Sequence, residues 1–190
     1  MKWNEIPKFV EYGLTNPMDY GFLSYVDYIE REITIYGLEM NPDFQRGHVW
    51  TEVQQSKWIE FLLQGGRSAR DFYFNWSNKT DEYVCVDGLQ RTIALQNFVR
   101  NKLKAFGQFF DEFGFPGAAM WNPTDEYKVH IYINHLKTKK EVLQWYVDMN
   151  AGGTPHTNEE IERVKKMIKE IEWGDTNEWN RKENFRLFGK

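Results

Sequence analysis

The 190-residue sequence holds a single cysteine, Cys85, and only four histidines. One thiol cannot form an internal disulfide, and its setting in Tyr83-Val84-Cys85-Val86 reads as a small buried hydrophobe rather than a nucleophile. His48, His130, His135 and His156 show no His-x-Asn-x-His or zinc-ligand spacing, so a self-sufficient metal nuclease is not expected. His130 reads as a solvent-facing strand residue and His156 as an exposed loop residue. No apolar run approaches bilayer length, and mean hydropathy is -0.69. The start, Met1-Lys2-Trp3-Asn4-Glu5, lacks the basic and then apolar layout of a signal peptide. Internal repeats and low-complexity linkers are absent too. The expectation is a soluble, cytoplasmic protein with no membrane partner.

What is present is apolar and aromatic. Hydrophobic residues make up 41% and aromatics 17%, enough to build a core and to argue against disorder. Net charge is -4, which disfavours DNA as a sole partner. Residues 44 to 104, however, carry nine Lys or Arg against six Asp or Glu. A locally basic segment in an acidic chain suits a compact anion, and ordinary surface scatter explains it equally well.

Along the chain, Asn16-Pro17 predicts a helix start, with Phe22, Val26, Ile29 and Ile33 at helical spacing. The β-branched run Ile33 to Leu38 predicts a strand. Thr51 with Gln54 forms a candidate capping box for a helix through Leu63, with Val53, Ile59, Leu62 and Leu63 as its buried stripe and Gly65-Gly66 as its stop. Phe72 to Trp76 predicts a strand. Tyr83 to Val86 predicts another, apolar throughout and therefore central. Gly88 ends it, and Leu95, Phe98, Val99 and Leu103 mark the helix that follows. Gly107 to Trp121 predicts an irregular insertion, a candidate lid. Val129 to Asn134 alternates as a half-buried strand does. Thr138 and Glu141 open a helix with Val142, Trp145, Tyr146 and Met149 on one face, stopped by residues 151–155. Thr157 and Glu160 cap a last helix built on Ile161, Val164, Ile168 and Ile171. The sum is a mixed α/β (α+β) domain of a small sheet with surrounding helices. Its expected division is a helical extension over 1–30, the main domain over 31–172, and a polar tail over 173–190.

Chemistry concentrates at Asp87-Gly88-Leu89-Gln90-Arg91. A buried strand, then glycine, then a helix start directs free backbone N–H groups toward the turn, where phosphate is the natural occupant. Gly88 permits close approach, and Arg91 offers a fork of donors. Thr92 adds a hydroxyl, and Gln90 an amide for phosphate or water. Asp87 can hold a metal ion or accept a proton. On these residues alone, an ordinary Asp-Gly turn with a surface ion pair stands beside the anion site. Gly152-Gly153-Thr154 lacks a Walker lysine and reads as a helix stop. Among Trp121, Trp145, Trp173 and Trp179, candidate stacking partners for bases, Trp145 reads as core.

The turn resembles the Asp-Gly-Gln-Gln-Arg motif of a family in the ParB/sulfiredoxin-like superfamily, known from the N-terminal halves of GmrSD-type restriction enzymes. Asn41-Pro42-Asp43-Phe44-Gln45-Arg46-Gly47-His48-Val49-Trp50, the helix from Thr51 to Gly65, and Val147 to Thr154 resemble its other segments, in order, over roughly residues 30 to 170. The resemblance implies nucleoside triphosphate binding with magnesium at Asp87, and slow hydrolysis. Asp87, Gln90 and Arg91 would be catalytic; Gly88, Thr92, Gln45, Arg46 and Asn150 would line the ligand. By the same association, a nucleotide sensor or a partner-binding protein of a phage or mobile element, acting on a defence system, is the alternative, and a ParB-like DNA-nicking protein a less favoured one. Leu89 departs from the motif, facing either the nucleotide or the core; inward packing is the favoured reading.

Overall fold

Gly37 decides where the first helix ends. In the computed structural model, which describes residues 17–77, 82–114, 128–150 and 158–173, strand β1 (Met18–Gly21) leads into helix α1 (Phe22–Tyr36). Gly37 then adopts φ 70° and donates its N–H to Glu32 O, a left-handed stop that glycine accepts at little cost. This corrects two expectations. The helix starts at Phe22 rather than Pro17, and Ile33 to Tyr36 is its last turn rather than a strand. Ile33, Ile35 and Tyr36 face solvent there, 38%, 52% and 57% exposed, so their β-branched character is not used in a sheet. The division expected after residue 30 falls inside α1, and β1 and α1 join the same sheet and core as the rest.

Helix α2 (Glu52–Leu63) begins with the expected capping box: Thr51 accepts from Gln54 N, and the Gln54 side chain accepts from Thr51 N. Gln55, Trp58, Ile59 and Leu62 are its buried residues, whereas Val53 is 63% exposed. Strands β2 (Asp71–Ser77) and β3 (Glu82–Asp87), helix α3 (Leu89–Val99), strand β4 (Lys128–Asn134), and helices α4 (Lys139–Asn150) and α5 (Asn158–Trp173) complete the mixed α/β architecture. Thr138 and Glu141 cap α4 reciprocally.

The sheet runs in the order β1-β4-β2-β3. β1 and β3 are antiparallel to their neighbours, and β2 and β4 pair in parallel. β3, expected at the centre, is the terminal ladder strand. Its outer side is nevertheless used: Glu39 N donates to Tyr83 O (2.8 Å), and Cys85 N donates to Glu39 O (2.9 Å). That cover, with helices on both faces, lets an apolar run sit at a sheet edge.

Side-chain alternation divides the core into two. Phe72, Phe74, Tyr83, Cys85, Val129 and Ile131 pack with α1, α2 and α3. Val84 and Val86 pack on the other face with Phe44, α4 and α5. Arg70, 3% exposed, ties the first layer together, donating to Leu62 O, Gly66 O and Lys128 O. Beyond α3, Ala105 and Gln108 bridge in a tight turn, and a 3-10 turn over Phe110–Phe113 packs two rings on Phe98. This part of the expected insertion joins the core instead of forming a lid. Its continuation to Trp121, together with Asn16, the stop at 151–155, His156, the Thr157 cap and Trp179, lies outside the described residues.

Candidate functional site at the β3–α3 turn

The turn is shaped by sterics before chemistry. Gly88 has φ 123° and ψ 0°, and a Cβ there would lie 2.6 Å from the Phe72 ring. Glycine is therefore demanded by the backbone and by a fully buried phenylalanine, independently of any ligand. The Phe72 ring also floors Arg91, whose guanidinium carbon lies 5.3 Å from the ring centroid. Leu89 is 6% exposed and belongs to the main core, so the inward orientation is the one found.

Asp87 and Arg91 form an i,i+4 ion pair at 2.7 Å, with side chains 39% and 13% exposed. A register shift in the β2–β3 ladder between Tyr73 and Phe74 sets Tyr73 opposite Asp87, and bulges of this kind re-aim a side chain. The sequence carries no local mark of it. α3 itself has no side-chain cap. Thr92 N is the first amide of the helix to find a backbone carbonyl, that of Gly88. The N–H groups of Gln90 and Arg91 meet no acceptor among the described residues.

Several side chains expected to face a ligand are instead committed inside the protein. Gln90 Oε1 accepts from Val49 N (2.9 Å) and Trp50 N (3.0 Å), and its Nε2 donates to Gly47 O (2.7 Å); it latches the loop before α2 onto α3. Thr92 is 1% exposed and shares a 2.6 Å hydrogen bond with the Tyr25 hydroxyl in the core. The helix turns that position inward, away from the turn where a ligand was expected. Gln45 Nε2 donates to Cys85 O and Val86 O, closing the free edge of β3. Asn150 Nδ2 donates to Tyr146 O one turn back. Cys85 is fully buried, and burial pushes its thiol up to about 12, consistent with an inert side chain.

Arg46 stays near the site, paired with Glu160 at 3.2 Å. Two residues missed in the sequence join it. Arg163 reaches back from α5 to donate to Phe44 O (2.6 Å) and Asp43 O (3.1 Å). Tyr146 lies where these charges meet: burial pushes its phenol up to about 12, Glu160 and Asp87 push the same way, and Arg163 and Arg46 oppose them. Tyr73 is likewise pushed up to about 12, by burial first, then by Asp71, Tyr132 and Asp87, with Arg91 opposing. Arg46, Arg91 and Arg163 are thus matched around the two phenols by the carboxylates Asp71, Asp87 and Glu160. The helical spacing of α5 predicts its buried stripe, but nothing local to Arg163 marks its approach to Phe44, 119 positions away.

Among the described residues no group of three or more His, Cys, Asp or Glu side chains is arranged to hold a metal ion. His48, His130 and His135 bond instead to Gln55, Asp19 and the Trp76 carbonyl. No family model matches the chain, and no curated protein or solved structure matches it significantly.

Proposed function

We propose that the β3–α3 turn binds the phosphates of a nucleoside triphosphate, and that the protein works chiefly as a nucleotide-binding or sensing domain with slow hydrolysis at most. The observation that carries this reading is the uncapped first turn of α3. Its Gln90 and Arg91 amides lack acceptors among the described residues, beside the Arg91 guanidinium, with Arg46 and Arg163 close by. Unsatisfied first-turn amides at the positive end of a helix, with arginine forks beside them, suit phosphate oxygens. The commitment of Gln90 to the 47–50 loop argues for binding over turnover, since its side-chain amide is engaged at both ends and not free to orient water.

Magnesium fits in a limited way. Asp87 Oδ2 is engaged by Arg91, and the carboxylate is 39% exposed, so one oxygen remains for an ion whose other ligands are phosphate and water. The ion would neutralise phosphate charge that Asp87 otherwise repels. Calorimetry with nucleoside triphosphates and inorganic tripolyphosphate, with and without magnesium, tests the reading. Arg91→Ala is expected to weaken binding at least tenfold, about 1.4 kcal/mol. A wild-type protein that binds neither ligand at millimolar concentration would refute it.

A further inference from the structure

The half-open face of the sheet next to the turn carries a second set of side chains. Asp19, His130 and Asp71 are consecutive ladder partners across β1, β4 and β2. One step along the strands, Tyr132 pairs with Tyr73, and Tyr73 pairs with Asp87. Strand alternation sets Asp71 with Tyr73, and His130 with Tyr132, on the same face. These residues therefore run on directly from Asp87 and the phosphate turn. The Tyr73 and Tyr132 rings are stacked, with centroids 5.0 Å apart and planes 15° from parallel. Trp145 of α4 closes the far side of Tyr73, edge-on at 6.1 Å. The β1 ladder begins at Met18–Ile131, one residue short of Tyr132, so among the described residues no ladder neighbour backs that ring on the β1 side.

Two features of this face are unmatched among the described residues. Tyr132 is a half-buried aromatic with a ring partner on one side only among the described residues. Asp71 is a half-buried carboxylate with no ion pair or side-chain hydrogen bond among the described residues. Its neighbour Asp19 is taken by Lys128 (2.9 Å) and His130 (2.6 Å). A partly desolvated, unpaired carboxylate is costly unless something donates to it.

We infer that this face is the nucleoside half of the site: a base extends the Tyr73–Tyr132 stack, and Asp71 accepts from the ribose hydroxyls. The assignment rests on the phosphate reading above, because Asp87 joins the two halves. Aromatic stacking is tolerant of base identity, so the ligand class is a ribonucleoside triphosphate of either base type, recognised by its ring and its sugar.

Calorimetry on the full chain, comparing each ribonucleoside triphosphate with its 2′,3′-dideoxy counterpart and with inorganic tripolyphosphate, separates the two claims. The wild type is expected to prefer ribonucleotide over tripolyphosphate at least tenfold. Tyr132→Ala should abolish that preference and leave tripolyphosphate affinity unchanged, while Tyr132→Phe retains it. Asp71→Asn should reduce the ribo-over-dideoxy preference alone. Tripolyphosphate binding as tightly as the nucleotides, or a preference untouched by Tyr132→Ala and Asp71→Asn, overturns the nucleoside assignment and leaves the phosphate reading standing. Binding of neither ligand overturns both.

Discussion

Helices α2 and α3 begin in opposite ways. At α2, Thr51 and Gln54 satisfy each other's backbone through a closed capping box. At α3, Gly88 contributes no side chain, and two first-turn amides are left over. The α2 start is built from local sequence and spends its polar groups on itself. The α3 start is built by long-range packing, with Phe72 below Gly88, Leu89 in the core and Thr92 tied to Tyr25, and it has no side-chain cap. Gln90 connects the two, holding the loop that enters α2 against the first turn of α3. A helix start that is anchored by the core and not by a cap can be rigid and still available to an anion.

Alkali should separate the two starts most strongly. Under α3 lie Cys85, whose thiol burial pushes from 9.0 up to about 12, and Tyr25, pushed well above 10.0 by burial. Both folded values exceed the unfolded ones, so the stability they contribute is complete below pH 9 and is lost as pH rises toward the folded values. For Cys85 alone the loss is on the order of 4 kcal/mol. Thermal melts between pH 8 and 11 should show a falling midpoint, and Cys85→Ala should flatten the early part of the fall. An unchanged midpoint to pH 11 would contradict the burial of these groups.

Gly88→Ala comes next. It combines a positive φ with a Cβ placed 2.6 Å from a fully buried ring, and strain and overpacking together should cost about 3 kcal/mol. Urea denaturation measures it; a loss under 1 kcal/mol would mean that the turn is softer than its packing implies. Leu89→Gln tests the adjacent position. With Leu89 6% exposed in the main core, a buried amide should cost about 1 to 3 kcal/mol. Nucleotide affinity should hold. A stable variant with increased turnover would reverse the orientation argument.

These contrasts mirror what local sequence can disclose. The capping boxes at Thr51 and Thr138, the strands at Phe72 and Val129, and the helix after Gly88 rest on neighbours within a few positions, and the pattern exposes them. The run Ile33 to Leu38 misleads because β-branched residues also tolerate an exposed helix end once Gly37 supplies the stop. The roles of Gln90 and Thr92 were not readable, since their partners Gly47 and Tyr25 lie 43 and 67 positions away. A polar residue beside a glycine turn looks alike in sequence whether it meets a ligand or the protein's own backbone. Asp87 and Arg91 keep their expected neighbourhood because their contact is a single helical turn.

The smallest effect is the one that isolates the cap. Thr51→Ala removes the hydroxyl that accepts from Gln54 N at 3.3 Å and should cost about 1 kcal/mol, the usual worth of an N-cap. Gln54 would keep its bond to Thr51 N, so the helix should fray at one amide and remain folded. The Gln90 latch binds Gly47, Val49 and Trp50, all before the cap, and should hold the loop in place. Stability should therefore drop with phosphate affinity unchanged, the reverse of Arg91→Ala, which should lose affinity out of proportion to stability. Urea midpoints and tripolyphosphate titrations on the two variants give the comparison directly. If Thr51→Ala weakened binding as much as Arg91→Ala, the two helix starts would have to be treated as one coupled element, and the anion reading would shift from the α3 turn to the loop between them.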